Sequence, residues 1–247
     1  IFIFFDVKIG LRRIYIAELT WIINHIFKTH FKLLSLFKTD YFESRFGKFY
    51  ITPDLVSTIT VSPAFERRDI NFLINLIKKE RNKRKKILFI DIGANFGLYS
   101  VIVGNKFKKD SLDIIAFKPN TTYLTLPTYS LLYKNIKLNK IENTKLYKIG
   151  IGYENTKTIN KGGFNTRRLD SIIGKNYFKN YDTVFIKMDV DDYVLDALKG
   201  IEISIKNGKK TILLVEDFVD KKSIEYLNKN FEFIAKLSDY NSFWIKD

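Results

Sequence analysis

The rhythm of apolar and polar positions changes several times along this chain, and each change predicts an element. From Ile87 onward, short apolar runs alternate with stretches of helical spacing. Ile87 to Ile90, Asp113 to Phe117, Lys145 to Ile149, Thr183 to Met188 and Thr211 to Val215 read as strands. Continuous apolar runs of this length, bounded by turn residues, mark strands buried on both faces. Between them, helical spacing runs from Gly97 to Phe107 (apolar at Leu98, Val101, Ile102 and Phe107), from Pro127 to Leu138, from Val194 to Lys206 and through Leu227. Phe231 to Leu237 and Ser242 to Lys246 are joined by Ser238-Asp239-Tyr240-Asn241, which reads as a hairpin turn. Repeated strand–helix units that end in a hairpin predict an α/β fold. Its sheet has seven mostly parallel strands and closes with an antiparallel pair.

The first part of the chain differs in character. Ile14 to Phe37 carries Ile16, Leu19, Ile22, Ile23, Ile26, Phe27, Phe31 and Leu34 at amphipathic helix spacing, interleaved with Lys28, His30 and Lys32. Glu18 and Lys28 keep its uncharged run too short for a membrane span. Such a helix packs on the main domain or rests against a membrane surface. Phe46 to Thr60, broken by Gly47 and Pro53, reads as short strands, and helical spacing resumes from Phe65 to Ile77 after Ser62-Pro63. The expected organisation is an N-terminal helical and short-strand extension over 1–64, followed by an α/β domain over 65–247.

Composition adds three constraints. The chain has 247 residues, enough for one large α/β domain and an appendage. It has no cysteine, which excludes disulfides, zinc–thiolate sites and a thiol nucleophile and fits a reducing, cytoplasmic compartment. The net charge of +15 attracts nucleic acid, anionic glycans or anionic membrane, or reflects a surface rich in Lys and Asn throughout. The densest basic run, Lys78 to Lys86, leads into the amino end of the first strand, opposite the ligand edge of such a sheet. It reads as a solvated connector.

Chemistry concentrates where the first strand ends, at Asp91-Ile92-Gly93-Ala94-Asn95-Phe96-Gly97. Strand, glycine turn and helix in that order present a ligand site at the carboxyl edge of a parallel sheet. The spacing is not G-x-G-x-x-G, and a carboxylate at the turn repels phosphates. A cationic nucleoside ligand suits it better, with S-adenosylmethionine as the candidate.

The same residues carry a family resemblance. Asp91 to Gly97 resembles the cofactor turn of the FkbM-type methyltransferases, within the Rossmann-like, S-adenosylmethionine-dependent class. Further landmarks follow in order. Ala116-Phe117-Lys118-Pro119-Asn120 resembles A-F-E-P-N, and Lys134-Asn135-Ile136-Lys137-Leu138-Asn139 resembles K-N-I-x-L-N. Leu169-Asp170-Ser171 resembles L-D-S, Lys187-Met188-Asp189-Val190 resembles K-I-D-V, and Leu214-Val215-Glu216 matches L-V-E. The resemblance covers about Phe65 to the C-terminus. It implies methyl transfer from S-adenosylmethionine to a hydroxyl on a sugar, glycan or glycolipid. It also implies a cofactor site at Asp91, Gly93, Ala94, Asn95, Gly97, Lys118 and Asn120.

Three stretches depart from that pattern. The family's acidic residue after the second strand accepts hydrogen bonds from the ribose hydroxyls, and here it is Lys118, which can only donate. The family's E-G-x-E is here Asp191-Asp192-Tyr193-Val194, and Thr121 to Leu126 lengthens the loop after Asn120. The only histidines, His25 and His30, lie in the extension, so the proton acceptor is sought among strand-end carboxylates. Asp189 is the expected general base, with Glu216 orienting the acceptor or Lys187. Asp189, Glu216 and Asp217 are also a possible Mg²⁺ set, because hard cations take oxygen ligands; an alternative role for Asp217 is a helix N-cap. Two other function classes remain: a binding or scaffold protein on this fold, and a ribose 2′-O-methyltransferase acting on RNA. A nucleic-acid base is not the expected target, because no Asn/Asp-Pro-Pro-Tyr/Phe string follows the fourth strand.

Overall fold

The computed structural model describes residues 41–44, 46–50, 66–108, 112–119, 122–123, 126–156, 164–216 and 221–247. The expected amphipathic helix, His25, His30, Asn120 and Asp217 lie outside the described residues. The strands of the main sheet are β1 Ile87–Ile92, β2 Asp113–Phe117, β3 Thr144–Tyr147, β4 Thr183–Met188, β5 Thr211–Glu216, β6 Glu232–Lys236 and β7 Asn241–Lys246. The helices are α1 Arg67–Asn82, α2 Leu98–Lys106, α3 Thr128–Leu138, α4 Leu169–Ile173, α5 Val194–Lys206 and α6 Lys221–Asn230.

The sheet has the order β6-β7-β5-β4-β1-β2-β3. Neighbours from β3 across to β5 pair in parallel, and β7 alone runs antiparallel between β5 and β6. The chain moves outward from β1 in one direction and restarts at β4 in the other. The switch point, where ligands enter open α/β sheets, is therefore between β1 and β4.

Period-two alternation sorts the strand residues into two cores. Phe89, Ala116, Phe185, Ile212, Leu214 and Phe243 face α1, α2 and α3, with Ile70, Leu73, Val101, Ile102, Leu132 and Ile136. Leu88, Ile90, Ile186, Met188, Leu213, Val215 and Trp244 face α5, with Leu198 and Ile201. The same alternation carries Asp91, Lys187, Asp189 and Glu216 onto the first face, at the carboxyl ends of strands that are otherwise apolar.

Two local findings differ from the sequence expectation. Phe42–Ser44 and Gly47–Phe49 form a small antiparallel hairpin, and Phe49 is wholly buried in the first core. Asn135 on α3 and Asn139 in the turn just after it clamp it. The Asn135 amide accepts from Tyr50 N (2.6 Å) and donates to Phe96 O (2.8 Å), while Asn139 accepts from Lys48 N (2.9 Å) and donates to Lys48 O (2.7 Å). The stretch that resembles K-N-I-x-L-N therefore ties the hairpin to the domain. The basic run is also less solvated than expected, since α1 continues through Asn82 and turns Glu80 inward. Glu80 accepts from Lys85 Nζ (2.6 Å) and Thr183 Oγ1 (3.0 Å). Burial pushes its carboxyl up, but these bonds and Lys210 outweigh that and hold it at about 2.

Candidate active site

The site begins with two strand ends in register. Asp91 on β1 is paired with Lys187 on β4, so their side chains lie side by side on one face. Both are buried. Asp91 accepts from the Ser100 backbone N–H (3.1 Å) and hydroxyl (2.6 Å), which secures the first turn of α2 to the end of β1. Burial raises its pKa, opposed by Lys187 and the Ser100 bond.

The turn that follows is held from both sides. Gly93 and Ala94 donate their N–H groups to Phe117 O at the end of β2 (3.0 and 3.1 Å), and Gly97 donates to Ala94 O (2.7 Å). Gly93 and Gly97 adopt φ of +81° and +94°, and Asn95 takes +50°. Side chains other than glycine's rarely adopt the first two values. A Cβ on Gly93 would also overlap the Asp189 carbonyl, so the turn abuts the end of β4 directly. Three of the N–H groups that the sequence places around a ligand are thus hydrogen-bonded within the protein. Asn95, like Gly93, is half-buried in this turn.

Lys187 is the centre of charge. Its Nζ lies 2.5 Å from Asp189 Oδ2 and 5.1 Å from the centre of the Tyr99 ring. Burial would lower its pKa, but Asp189, Asp91 and Glu66 outweigh burial and raise it. The lysine is therefore charged at every physiological pH. Asp189 is about one-third exposed, with its side chain at 36%. Burial pushes its pKa up, and Lys187 and a hydrogen bond with Glu216 bring it well below the usual carboxylate range. Glu216 moves the other way: burial, then the shared bond with Asp189, then that residue's charge, push it up to about 9. At neutral pH the two carboxyl groups hold one proton between them, on the Glu216 side.

Lys118 follows β2 and is partly buried. Its backbone N–H donates to Tyr147 O (3.1 Å). Burial lowers its pKa, and the opposing pull of Asp189 and Asp191 places its ammonium toward the same crevice. Sequence reasoning missed Glu66 and Tyr99. The Tyr99 hydroxyl donates to Glu66, which sits at the start of α1 with φ +44°. Burial raises the Glu66 pKa, with Lys187 opposing. A tyrosine at the second position of α2 was the available signal, but its partner lies 33 residues earlier in the chain.

The described residues do not fit Mg²⁺. Among them no group of three histidine, aspartate or glutamate side chains is placed to hold a metal ion. Asp189 is already bonded to an ammonium and to a protonated carboxyl, and Asp217 is outside the described residues.

The Glu216 proton has a consequence for stability. Its folded pKa of about 9 lies above the unfolded value of 4.5, so its contribution is complete below 4.5 and is lost as pH rises toward 9. Glu216→Gln keeps the hydrogen-bonding shape without the titration. Its melting temperature relative to the parent should rise steadily between pH 5 and pH 9. A constant gap across that range would show that Glu216 is not protonated in the fold.

Comparison with solved structures gives the class of fold. The chain is similar to a protein from Staphylococcus aureus assigned as a caffeoyl-CoA O-methyltransferase, with TM-score 0.51, 13% identity, and 96% of this chain and 100% of that chain covered. It is also similar to the METTL16 MTase domain (TM-score 0.46, 12% identity, 72% and 66% covered). A third neighbour is a Streptococcus pneumoniae protein assigned as a tRNA (m1A22) methyltransferase, in complex with S-adenosyl-L-methionine (TM-score 0.39, 10% identity, 65% and 65% covered). The chain spans less than two thirds of the length of these last two. No protein-family model matches the sequence, and no curated protein matches it. Strand order, switch point and the likeness to the Staphylococcus aureus protein, which extends over nearly the whole chain, define a Rossmann-like fold of the kind found in class I methyltransferases. Among the described residues no helix is long and apolar enough to cross a membrane.

Proposed function

We propose that this chain is an S-adenosylmethionine-dependent O-methyltransferase of the FkbM type, acting on a hydroxyl of a sugar, glycan or glycolipid. The observation that supports this most is the carboxyl pair at the ends of adjacent parallel strands. Asp189 is ionised and partly exposed, Glu216 is protonated beside it, and Lys187 fixes the first. Methyl transfer to a hydroxyl needs a positioned acceptor and a destination for its proton. The pair supplies that destination as a unit.

The chemistry of the crevice fits the cofactor. The carboxylates of Glu66, Asp91 and Asp189 outnumber the ammonium groups of Lys118 and Lys187, so a sulfonium cation gains favourable field there. When bound, S-adenosylmethionine supplies an electrophilic methyl group on positively charged sulfur. The turn at Gly93, Ala94, Asn95 and Gly97 would line its site, with Asp91 beneath and Lys118 at the end of β2. Lys187 holds Asp189 in one orientation, and Glu216 turns its carboxyl toward the acceptor.

A second reading is favoured by Lys118 and by the engaged N–H groups of Gly93 and Ala94. In it the fold persists as a binding or scaffold protein with an impaired cofactor site. Isothermal titration with S-adenosylmethionine and S-adenosylhomocysteine decides between the two. The expected result is micromolar binding by the unmodified chain, tightened about 10- to 100-fold by Lys118→Glu. That range corresponds to the 1–3 kcal/mol of a charge-assisted hydrogen bond. Binding seen only in Lys118→Glu would establish the scaffold reading.

A further inference from the structure

Glu66 opens α1 yet does not cap it. Its carbonyl accepts the first helical bond, from Ile70 N (2.9 Å), but its side chain makes no capping bond. Its φ of +44° lies in the left-handed region that residues other than glycine rarely adopt. Strain of that kind persists where surrounding contacts hold it. Here the contact is a hydrogen bond donated by the Tyr99 hydroxyl. It carries the Glu66 carboxylate away from its own helix and into the field of Lys187 and Asp189.

Tyr99 is buried and meets two opposite charges at once. Its hydroxyl holds Glu66, and the face of its ring lies under Lys187 Nζ, 5.1 Å from the ring centre. An ammonium offers three donors, so it goes to whichever carboxylate can reach it. Among the described residues, Asp189 is the carboxylate in direct contact with Lys187. We propose that Tyr99 is a positioning residue of the site: by holding Glu66 through its hydroxyl, it leaves the Lys187 ammonium to Asp189 and keeps that carboxylate in place. A hydrogen bond to a charged acceptor is strong, so the hydroxyl satisfies Glu66 without drawing on the lysine. Burial raises the Tyr99 pKa well above its usual value, so the hydroxyl stays a donor. Phenylalanine at this position keeps the ring face under the ammonium and loses only the donor. Glu66, partly buried and without that donor, then turns to Lys187, the cation whose charge it feels most. Asp189 loses its partner as a result.

The place of Tyr99 in catalysis rests on the O-methyltransferase reading, but the test of its contacts needs neither cofactor nor acceptor. The Glu216 carboxyl reports on the arrangement, because Asp189 holds its proton and Lys187 opposes that. Asp69 on α1, Asp91 on β1, Lys118 after β2 and Asp191 after β4 complete the charges around the group. They are the same in the three variants compared with the parent. Carboxyl ¹³C resonances are followed against pH in the parent, Tyr99→Phe, Glu66→Gln and the double variant. The Glu216 signal is assigned by its loss in Glu216→Gln. Its step near 9 in the parent should move to about 10 or above in Tyr99→Phe, as expected when a contacting opposite charge is withdrawn. Glu66→Gln should move it down, since a nearby negative charge is removed. The double variant should match Glu66→Gln, because Tyr99 acts through Glu66. A step that stays in place in Tyr99→Phe would overturn the proposal. So would an upward move that persists in the double variant, the mark of altered packing alone, or a parent with no step near 9. If S-adenosylmethionine fails to bind in an isothermal titration while these shifts appear, the methyltransferase reading falls and Tyr99 stands as the organiser of the carboxyl pair.

Discussion

Lys187→Met should lower the melting temperature by about 6–20 °C, the largest loss of stability expected from any single substitution at the site. The reason is what the lysine leaves behind. Its ammonium is buried between Asp91, its register partner on β1, and Asp189, and it also feels Glu66. Methionine has nearly the same length and is apolar, so little packing is lost. The buried carboxylates, however, lose their counter-charge. Removing one member of a buried ion pair costs about 3–5 kcal/mol, because the other charge is left uncompensated. For a chain of this size each kcal/mol moves the melting temperature by about 2–4 °C. The explanation makes a sharper demand on the double variant. Asp91→Asn added to Lys187→Met removes the most deeply buried of the stranded charges, so it should recover part of the loss rather than add to it. Thermal melts of the three variants check this. A Lys187→Met chain that melts within about 2 °C of the parent, or a double variant worse than either single one, would remove Lys187 from the centre of the site.

Much of this arrangement was legible in the sequence, and what was not has identifiable physical causes. The four central strands, β1, β2, β4 and β5, are short apolar runs bounded by turn residues, and a strand buried on both faces leaves that pattern whatever its neighbours. Asp91, Lys187, Asp189 and Glu216 stood out because they interrupt such runs at their carboxyl ends. Their convergence depends on register and strand order, which local sequence does not encode. Glu66 and Tyr99 were missed because their contact joins the start of α1 to the start of α2, and neither residue breaks a hydrophobic pattern. Glu80 was missed for a related reason: in a run of lysines one glutamate reads as a solvated charge. Only the tertiary contact with Thr183 shows that it points inward. The turn was recognised through its glycines, but the destination of its N–H groups was not. Phe117 O reaches Gly93 and Ala94 because β1 and β2 are adjacent, a fact of topology.

The catalytic proposal has its strongest test in Asp189→Asn, which should reduce methyl transfer to a hydroxyl acceptor by about 10²- to 10⁴-fold, the range for loss of a positioned proton acceptor. Cofactor affinity should change far less, because the asparagine amide keeps the side chain's shape. The pH dependence separates the pair's two members. With one proton between them at neutral pH, Asp189 is ionised but bonded on both sides, to Lys187 and to Glu216, which makes it a weak base. As Glu216 loses its proton near pH 9 the pair acquires a second negative charge and with it a free carboxylate oxygen. The rate should therefore climb with pH and level off above about 9. Glu216→Gln removes that late rise and leaves only the weaker base, so its profile should be flat from about pH 6 to 10. Asp189→Asn should show a different change, since it takes away the charge that keeps Glu216 protonated. The remaining activity should then titrate at lower pH than in the parent. Undiminished turnover in Asp189→Asn would eliminate the pair as proton acceptor. A late rise that survives in Glu216→Gln would locate the titrating group elsewhere, with Lys118 as the next residue to replace, since its ammonium faces the same crevice and burial lowers its pKa.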